Sequence, residues 1–194
     1  MTTVAIVYFS GSGHTQKMAE AVAEGAQSVA DTVVKVFAIT GEQITEGRWQ
    51  DDAMLSEISG ADAIIFGSPT YMGGVAAQMK AFVDGAGSIW FEQGWKNKLA
   101  GGFTHSGSPS GDKQGTLLYL ATNAAQHSMV WIGSGEMPDP ESGVNRLGAF
   151  LGVMGSGQDE GDTPVVDPGD LKSSQLYGQR IAKATHAWSP SSVL

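Results

Sequence analysis

Apolar runs and amphipathic stripes alternate along most of the chain. Residues Thr3 to Phe9 are nearly all apolar without alternation, a pattern typical of a parallel strand that is covered on both faces. Apolar residues then recur at intervals of three and four from Met18 to Val29, which predicts a helix of about four turns. Further strands are predicted over Val33–Ile39, Ala61–Gly67, Leu99–Ser106 and Ser128–Ile132, and further helices over Val75–Asp84 and after Gly111. This alternation predicts an α/β fold with a doubly wound parallel sheet, formed by one domain over residues 1–194.

The last third of the chain has a different pattern. Residues Gly133 to Thr163 are rich in Gly, Asp, Glu and Ser, which predicts a long functional loop. Within it, the short apolar island Leu147–Met154 is a candidate strand fragment. A terminal helix is then predicted to begin at Asp167, with Asp as N-cap and Pro168 at the first helical position.

Composition narrows the class of protein. The chain contains 27 glycines, more than a helical bundle tolerates, and they are not periodic, so we expect loops that bring backbone close to a ligand. It contains no cysteine, which excludes disulfides, iron–sulfur clusters and thiol nucleophiles. The net charge of −9 argues against nucleic acid and anionic membranes as partners. No secretory signal or membrane-spanning apolar stretch is found, so a soluble cytoplasmic protein is expected.

The loop after the first predicted strand has the chemistry of a phosphate site. In Ser10–Gln16, the hydroxyls of Ser10, Ser12 and Thr15 stand beside free amides at a helix N-terminus, and these donors hold a phosphate without a cation. The loop lacks the Gly-Lys-Ser/Thr of a nucleotide-triphosphate site, and Gln16 replaces the third glycine of a dinucleotide site. A hydrolase elbow, Gly-x-Ser-x-Gly, is also missing. Once these three kinds of site are set aside, the ligand expected at this loop is a monophosphate ester.

Two later loops complete the expected site. Gly67–Gly74 combines Pro69 and glycines with one aromatic ring, Tyr71, and Thr104–Gly111 is rich in hydroxyls and free of charge. In an open parallel sheet the loops at the carboxyl ends of neighbouring strands converge on the ligand. Three neutral loops with one aromatic ring therefore predict a planar heterocycle that carries one phosphate.

The chain resembles a known family in these same segments. Tyr8–His14, Ala63–Thr70, Ser106–Gly107, Trp90 and His127 match the WrbA-type NAD(P)H:quinone oxidoreductases, which are FMN enzymes with the flavodoxin fold. The resemblance implies a flavodoxin-like, doubly wound five-stranded parallel sheet of order 2-1-3-4-5 with helices on both faces. It also implies FMN as the cofactor and NAD(P)H as a transient co-substrate.

The resemblance further implies roles for individual residues. The FMN phosphate is expected to bind Ser10, Ser12, Gly13, His14 and Thr15. The isoalloxazine ring is expected to lie among Pro69, Thr70, Tyr71, Met72 and Gly73. The ribityl chain and ring edge are expected beside Ser106, Gly107 and Gly111. His127 matches a histidine that faces the flavin, and Trp90 matches an aromatic that walls the substrate site and is donated by a neighbouring subunit of a tetramer.

The other candidate residues have alternative interpretations. His105 either touches the ring or packs at a strand end, His14 either donates to the phosphate or caps the helix, and His186 is interpreted as a surface or packing residue. Asp159 and its acidic neighbours lack the regular spacing of oxygen ligands, so no metal is predicted. His127 is the preferred catalytic residue, because an imidazole beside the flavin can stabilise charge and relay a proton.

The expected activity is transfer of two electrons from NADH or NADPH through FMN to a quinone or a similar flat acceptor, in a homodimer or homotetramer. The alternative is a flavodoxin-type carrier that passes single electrons between protein partners, for which a net charge of −9 suits docking to basic reductases. A phosphoacceptor receiver domain is excluded, because Ser10 stands where that class needs acidic metal ligands.

Overall fold

A central parallel sheet organises the molecule. A computed structural model describes residues 1–188, so residues 189–194 of the expected 1–194 domain lie outside the described part. The main strands are β1 (Thr2–Tyr8), β2 (Thr32–Ala38), β3 (Ala63–Tyr71) and β4 (Leu99–Ser106), and two short strands at one edge are β5 (Val130–Trp131) and β6 (Val153–Ser156). From one edge the order is β2, β1, β3, β4 and then the edge position, so the predicted order 2-1-3-4-5 is confirmed.

The fifth position of the sheet is shared by two segments. β5 pairs with Leu99 and Ala100 at the start of β4, and β6 pairs with Phe103 to Ser106 at its end. The prediction of one strand over Ser128–Ile132 is therefore wrong in extent. Ser128 has a positive φ of 58° that keeps it in the preceding turn, and residues 132–152 leave the sheet before the chain returns as β6. The candidate strand fragment in Leu147–Met154 is confirmed at its end.

The helices cover both faces of the sheet. They are α1 (His14–Gln27), α2 (Asp52–Ser59), α3 (Ala77–Gly85), α4 (Gly87–Phe91), α5 (Lys113–Gln126) and α6 (Pro168–Ala187). Buried side chains of α1 and α6 pack on one face of the sheet, and those of α2, α3 and α5 pack on the other. Within residues 1–188 no helix combines the length and apolar character that crossing a bilayer requires.

Two helices were not predicted from the sequence. α2 is short and buries only Met54, Leu55 and Ile58, and it begins where the Asp51 carboxylate accepts a hydrogen bond from the Met54 amide at 2.9 Å. α4 is shorter still and buries none of its residues. A short hairpin, Ile44–Thr45 with Arg48–Trp49, was also missed. Because such elements carry few apolar positions, their periodicity is too brief to detect.

The predicted boundaries near β3 shift for a related reason. β3 continues past Gly67 to Tyr71, because its end pairs with Gly74 and Val75 in an antiparallel hairpin. The predicted helix over Val75–Asp84 therefore begins later, at Ala77. This hairpin carries the chain over the carboxyl end of the sheet, where the candidate site lies.

The terminal helix forms as its sequence predicts. Asp167 accepts a hydrogen bond from the Gly169 amide at 2.8 Å, and Pro168 begins α6. Tyr177, which is fully buried, accepts from the Gly102 amide at 3.0 Å and donates to the Ile132 carbonyl at 2.6 Å. These bonds tie α6 to β4 and to the first residue after β5, so the helix holds the edge of the sheet in place.

Candidate functional site

Four chain segments meet at the carboxyl ends of the strands and enclose a cavity of about 350 Å³. The segment after β1 contributes Ser10, Gly11, Ser12, His14 and Thr15. β3 contributes Pro69, Thr70 and Tyr71, and β4 with its loop contributes His105, Ser106 and Gly107. The segment after β6 contributes Gly157, Gln158 and Asp159. The predicted convergence of the three loops is present, and a fourth segment joins them.

The N-terminus of α1 is open to this cavity. Gly13 has a φ of 94°, which places it in the left-handed region that favours glycine, and its amide donates to the Ser10 hydroxyl at 3.0 Å. The first helical bond runs from the Lys17 amide to the Gly13 carbonyl, so the amides of His14, Thr15 and Gln16 have no helical acceptor. No side chain caps the helix. The arrangement leaves backbone donors and the positive end of the helix dipole for an anion.

The β3 end forms a second wall with a fixed backbone. The Thr70 hydroxyl is hydrogen-bonded to Thr104 at 2.8 Å and to Thr116 at 2.7 Å, all three being buried. Tyr71 stays half exposed and lies over Gly11, where an added Cβ would meet its hydroxyl. These contacts place an aromatic ring directly against the first loop.

Several predicted cofactor residues lie outside the cavity lining. Met72 and Gly73 form the tip of the hairpin with φ values of 48° and 78°, and the Met72 side chain is fully exposed. Gly13 and Gly111 do not line the cavity and support its loops instead, since a Cβ at Gly111 would collide with the Ser106 hydroxyl. The structure therefore brings most of the predicted residues together and leaves Met72 and Gly73 at the rim.

A buried lysine supports the β4 loop. The Lys113 ammonium donates to the Ser106 hydroxyl and the Ser108 carbonyl at 2.8 Å, and to the Pro109 carbonyl at 3.0 Å. Its side chain is fully buried, and burial lowers the pKa of Lys113 to about 8. The Lys113 ammonium therefore stabilises the loop after β4 through hydrogen bonds, although Lys113 does not line the cavity.

The segment after β6 brings the one carboxylate of the lining. Asp159 lies 3.1 Å from His14, measured between Oδ1 and Nε2. The segment is anchored by Asp170, which accepts from the Ser156 amide at 2.9 Å and from Arg146 at 2.6 Å. Burial raises the pKa of Asp170 and Arg146 opposes that rise. Asp159 follows the apolar island Leu147–Met154 in the sequence. The sequence does not show that this segment joins the sheet as β6 and ends beside the end of β4, which is what brings Asp159 to the cavity.

Two histidines lie together in the cavity. The rings of His14 and His105 stack with centroids 4.4 Å apart and planes inclined by 14°. His105 is only 4% exposed, and its pKa is lowered to about 3 by burial first and then by His14, Lys113 and Arg146. His105 is therefore neutral at ordinary pH. Of the two interpretations of this residue, packing at the strand end is confirmed, since His105 is buried at the end of β4 and stacks on His14. It also lines the cavity, and contact with a flavin ring stays a prediction.

His127 and Trp90 come together at a different place. They line a second cavity of about 370 Å³ with Tyr119, Asn123 and other residues of α3 to α5. His127 follows the C-terminus of α5. The next residue, Ser128, accepts a hydrogen bond at its carbonyl from the Asn97 amide, which places His127 near the start of β4. His105 lies at the other end of the same strand. β4 rises by about 20 Å between Leu99 and His105, so His127 and His105 lie near opposite ends of this strand. Within one chain, neither His127 nor Trp90 reaches the first cavity.

The second cavity contains polar atoms that lack partners. Asn123 Nδ2 and His127 Nδ1 are buried and have no hydrogen bond within the described residues. The His127 ring lies 4.4 Å from the Trp95 ring, and burial lowers its pKa. Trp90 is 48% exposed and its neighbour Phe91 is 82% exposed. The cavity thus has an apolar, partly exposed rim, and two residues of its lining each keep one buried polar atom without a partner among the described residues.

Comparison with known proteins identifies relatives over almost the whole chain. Residues 4–143 match the family described as NADPH-dependent FMN reductase. The chain is 38% identical over 189 residues to flavodoxin FldP of Pseudomonas aeruginosa, which covers 94% of this chain and 96% of that protein. It is 30% identical over 196 residues to an NAD(P)H dehydrogenase (quinone) of Archaeoglobus fulgidus, covering 94% and 97%. A crystal structure of a flavodoxin, WrbA-like protein from Agrobacterium tumefaciens matches with a TM-score of 0.76, 37% identity and coverage of 97% and 100%. The predicted flavodoxin-like fold is confirmed by this likeness.

Proposed function

The chain belongs to the NADPH-dependent FMN reductase family, and from this premise we propose that it is an FMN-dependent oxidoreductase that passes two electrons from NADH or NADPH to a quinone or a similar flat acceptor. Bound FMN supplies the redox chemistry, since its ring accepts a hydride and returns two electrons to the acceptor. The chain itself supplies the phosphate site and the walls of the ring site. We further propose that residues 1–194 form one domain and that the protein is cytoplasmic.

The open N-terminus of α1 is the observation that carries this proposal. Its amides at His14 and Thr15 lack acceptors, and the hydroxyls of Ser10 and Ser12 lie beside them. These are the donors that one phosphate monoester needs. In this proposal the flavin ring packs against Pro69, Thr70 and Tyr71, and its edge lies beside Ser106 and Gly107. The proposed ring contacts do not include Met72, Gly73 or Gly111, which do not line the cavity.

The direct test is a titration of the protein with FMN followed by steady-state assays of NADH and NADPH with benzoquinone. We expect quenching of flavin fluorescence at one FMN per chain and saturable quinone reduction that depends on the protein. Turnover no faster than that of the same concentration of free FMN would contradict the proposal.

A second copy of the chain is proposed to complete the acceptor site. His127 and Trp90 line a different cavity from the proposed phosphate site of their own chain, and neither residue lines the first cavity. In a homodimer or homotetramer, the partly exposed Trp90 of one copy can cover the flavin of another. Asn123 Nδ2 and His127 Nδ1, which are buried without a partner among the described residues, are the groups that an acceptor carbonyl or the ring would pair with if their side chains turn toward it.

This arrangement predicts complementation between two defective variants. Ser12→Asp weakens the phosphate site and His127→Gln removes the imidazole, so each variant alone is expected to have little activity at an FMN concentration that fills only an intact site. Random coassembly of the two in equal amounts is expected to restore about a quarter of wild-type activity, because about a quarter of the sites then combine an intact cradle with an intact histidine of the neighbour. Activity no greater than the mean of the two single variants would show that both parts act within one chain. Light scattering before and after mixing checks the assembly.

Asp159 is expected to weaken FMN binding. Its carboxylate lines the cavity and pairs with His14, so it repels a phosphate dianion that takes the same donors. Asp159→Asn is predicted to tighten FMN binding by about 3- to 10-fold at low ionic strength, with a smaller gain at high salt. Glu160→Gln is the matched control, because Glu160 belongs to the same loop but does not line the cavity. Weaker binding by Asp159→Asn would mean instead that the carboxylate orients His14 toward the phosphate.

The single-electron carrier remains a second candidate, favoured by the net charge of −9 and by the similarity to a protein named as a flavodoxin. A carrier needs a separate reductase, whereas the proposed enzyme oxidises NAD(P)H by itself. Comparison of quinone reduction with and without an added flavodoxin reductase distinguishes the two.

A further inference from the structure

His105 is a buried polar residue whose bonding is incomplete. It is 96% buried, and its Nε2 atom has no hydrogen-bond partner among residues 1–188. Leaving such an atom unpaired costs free energy, so buried imidazoles are normally hydrogen-bonded. The same residue lines the first cavity. Nε2 itself has almost no accessible surface, so a ligand there supplies the missing partner when the ring shifts slightly toward it.

The position of His105 indicates which part of a ligand it meets. Its ring stacks on His14, the first residue of α1, and the free amides of that helix begin at the same place. β4 carries His105 opposite Pro69 on one side and Gly155 on the other, so its backbone is fixed by two strands. A polar group held at the N-terminus of α1 lies where an anion binds.

We propose that His105 is a further phosphate-binding residue, whose Nε2 donates a hydrogen bond to the phosphoryl group of FMN. Its ring meanwhile stacks on the ring of His14. The inference rests on the proposed FMN site and adds to it a residue that the phosphate loop does not contain. A neutral imidazole has one N–H donor, and assigning it to Nε2 satisfies the buried atom and the phosphate together.

The surrounding charges keep His105 neutral. Three basic groups face His105, namely His14 on α1, Lys113 on α5 and Arg146 in the 132–152 segment. The carboxylate of Asp159 lies beside His14, and that of Asp170 lies beside Arg146. Burial and the neighbouring cationic groups lower the pKa of His105 to about 3. His105 therefore acts as a neutral donor, which suits a phosphate loop that has no lysine or arginine of its own.

The test compares FMN with riboflavin, which lacks the phosphate. His105→Phe preserves a ring against His14 and removes both nitrogens, whereas His105→Gln keeps an amide donor near the position of Nε2. We expect FMN affinity to fall about 10-fold in His105→Phe and to be largely retained in His105→Gln, with riboflavin affinity unchanged in both. Competition by inorganic phosphate against FMN is expected to weaken in parallel in His105→Phe. Because the donor is neutral, the loss is expected to be the same at about pH 6 and about pH 8.

Three results would overturn the inference. Equal losses for FMN and riboflavin would place His105 against the ring or make it purely structural, and thermal melting of the variants identifies the structural case. A loss that disappears at the higher pH would show a cationic role. Unchanged FMN affinity in His105→Phe would remove the contact altogether. If the wild-type protein binds neither flavin, the proposed function fails, which is a different outcome from a failure of His105 alone.

Discussion

Replacing Ser12 by Asp is expected to lower the affinity for FMN by about 100-fold, the largest ligand-binding effect that a single substitution in the cavity should produce. Ser12 is exposed, lines the cavity and hydrogen-bonds to His14 Nδ1 at 3.0 Å. A carboxylate there faces the phosphate dianion at close range, and like charges at about 5 Å in a partly hydrated site repel by about 2 to 3 kcal/mol. The fold should tolerate the change, since an acidic residue just before α1 favours the helix dipole.

The control for this prediction is Ser12→Asn, which has nearly the same shape as Asp without the charge. Fluorescence titrations with FMN and with riboflavin measure the two affinities, and a rise in salt concentration should reduce the difference between the variants. We expect Ser12→Asn to bind FMN within a few-fold of the wild type, and riboflavin to be affected little by either substitution. An equal loss in Asn and Asp would trace the effect to the Ser12 hydroxyl, and an unchanged Asp variant would move the phosphate elsewhere.

Replacing Gly178 by Ala is expected to lower the free energy of unfolding by about 3 kcal/mol, the largest stability effect that we predict. Gly178 lies in α6 where that helix crosses α1, and an added Cβ would lie only 1.9 Å from the Val22 carbonyl oxygen. Gly25 of α1 faces the Gln175 carbonyl in the same way. The two backbones are therefore in contact, and one methyl group requires the helices to separate. In an unconstrained helix the same change stabilises by about 1 kcal/mol, so the sign itself reports the contact.

Urea unfolding measures this effect, with Gly41→Ala as the control. Gly41 has no atom within 4 Å of an added Cβ and no positive φ, so its substitution should leave stability unchanged or slightly higher. A Gly178→Ala protein as stable as the wild type would show that α1 and α6 have room to adjust. Because the proposed phosphate site lies at the N-terminus of α1, we expect the Gly178 variant to bind FMN more weakly as well.

The strands of this protein were predictable because their burial is nearly complete. Val4 to Val7 and Ile64 to Phe66 have no exposed surface, and residues covered on both faces must all be apolar. β4 was predicted at its observed bounds, Leu99–Ser106. α2 escaped detection because three buried residues do not make a recognisable stripe, and the fifth strand was overestimated because the chain leaves and re-enters the edge of the sheet.

By itself, the sequence determined the α/β fold and the uncapped N-terminus of α1, because both depend on residues that are close along the chain. A glycine before α1 and the absence of a capping side chain are local properties, and they leave the first helical amides free wherever that helix is placed. Only the tertiary structure decided the rest of the site. β4 and α5 run in directions that place His127 near the start of β4, at the end of the sheet away from the candidate site. β4 and β6 instead bring His105 and Asp159 against His14. The exposure and charge of such groups are set by neighbours from several elements, and no spacing along the chain records which neighbours those are.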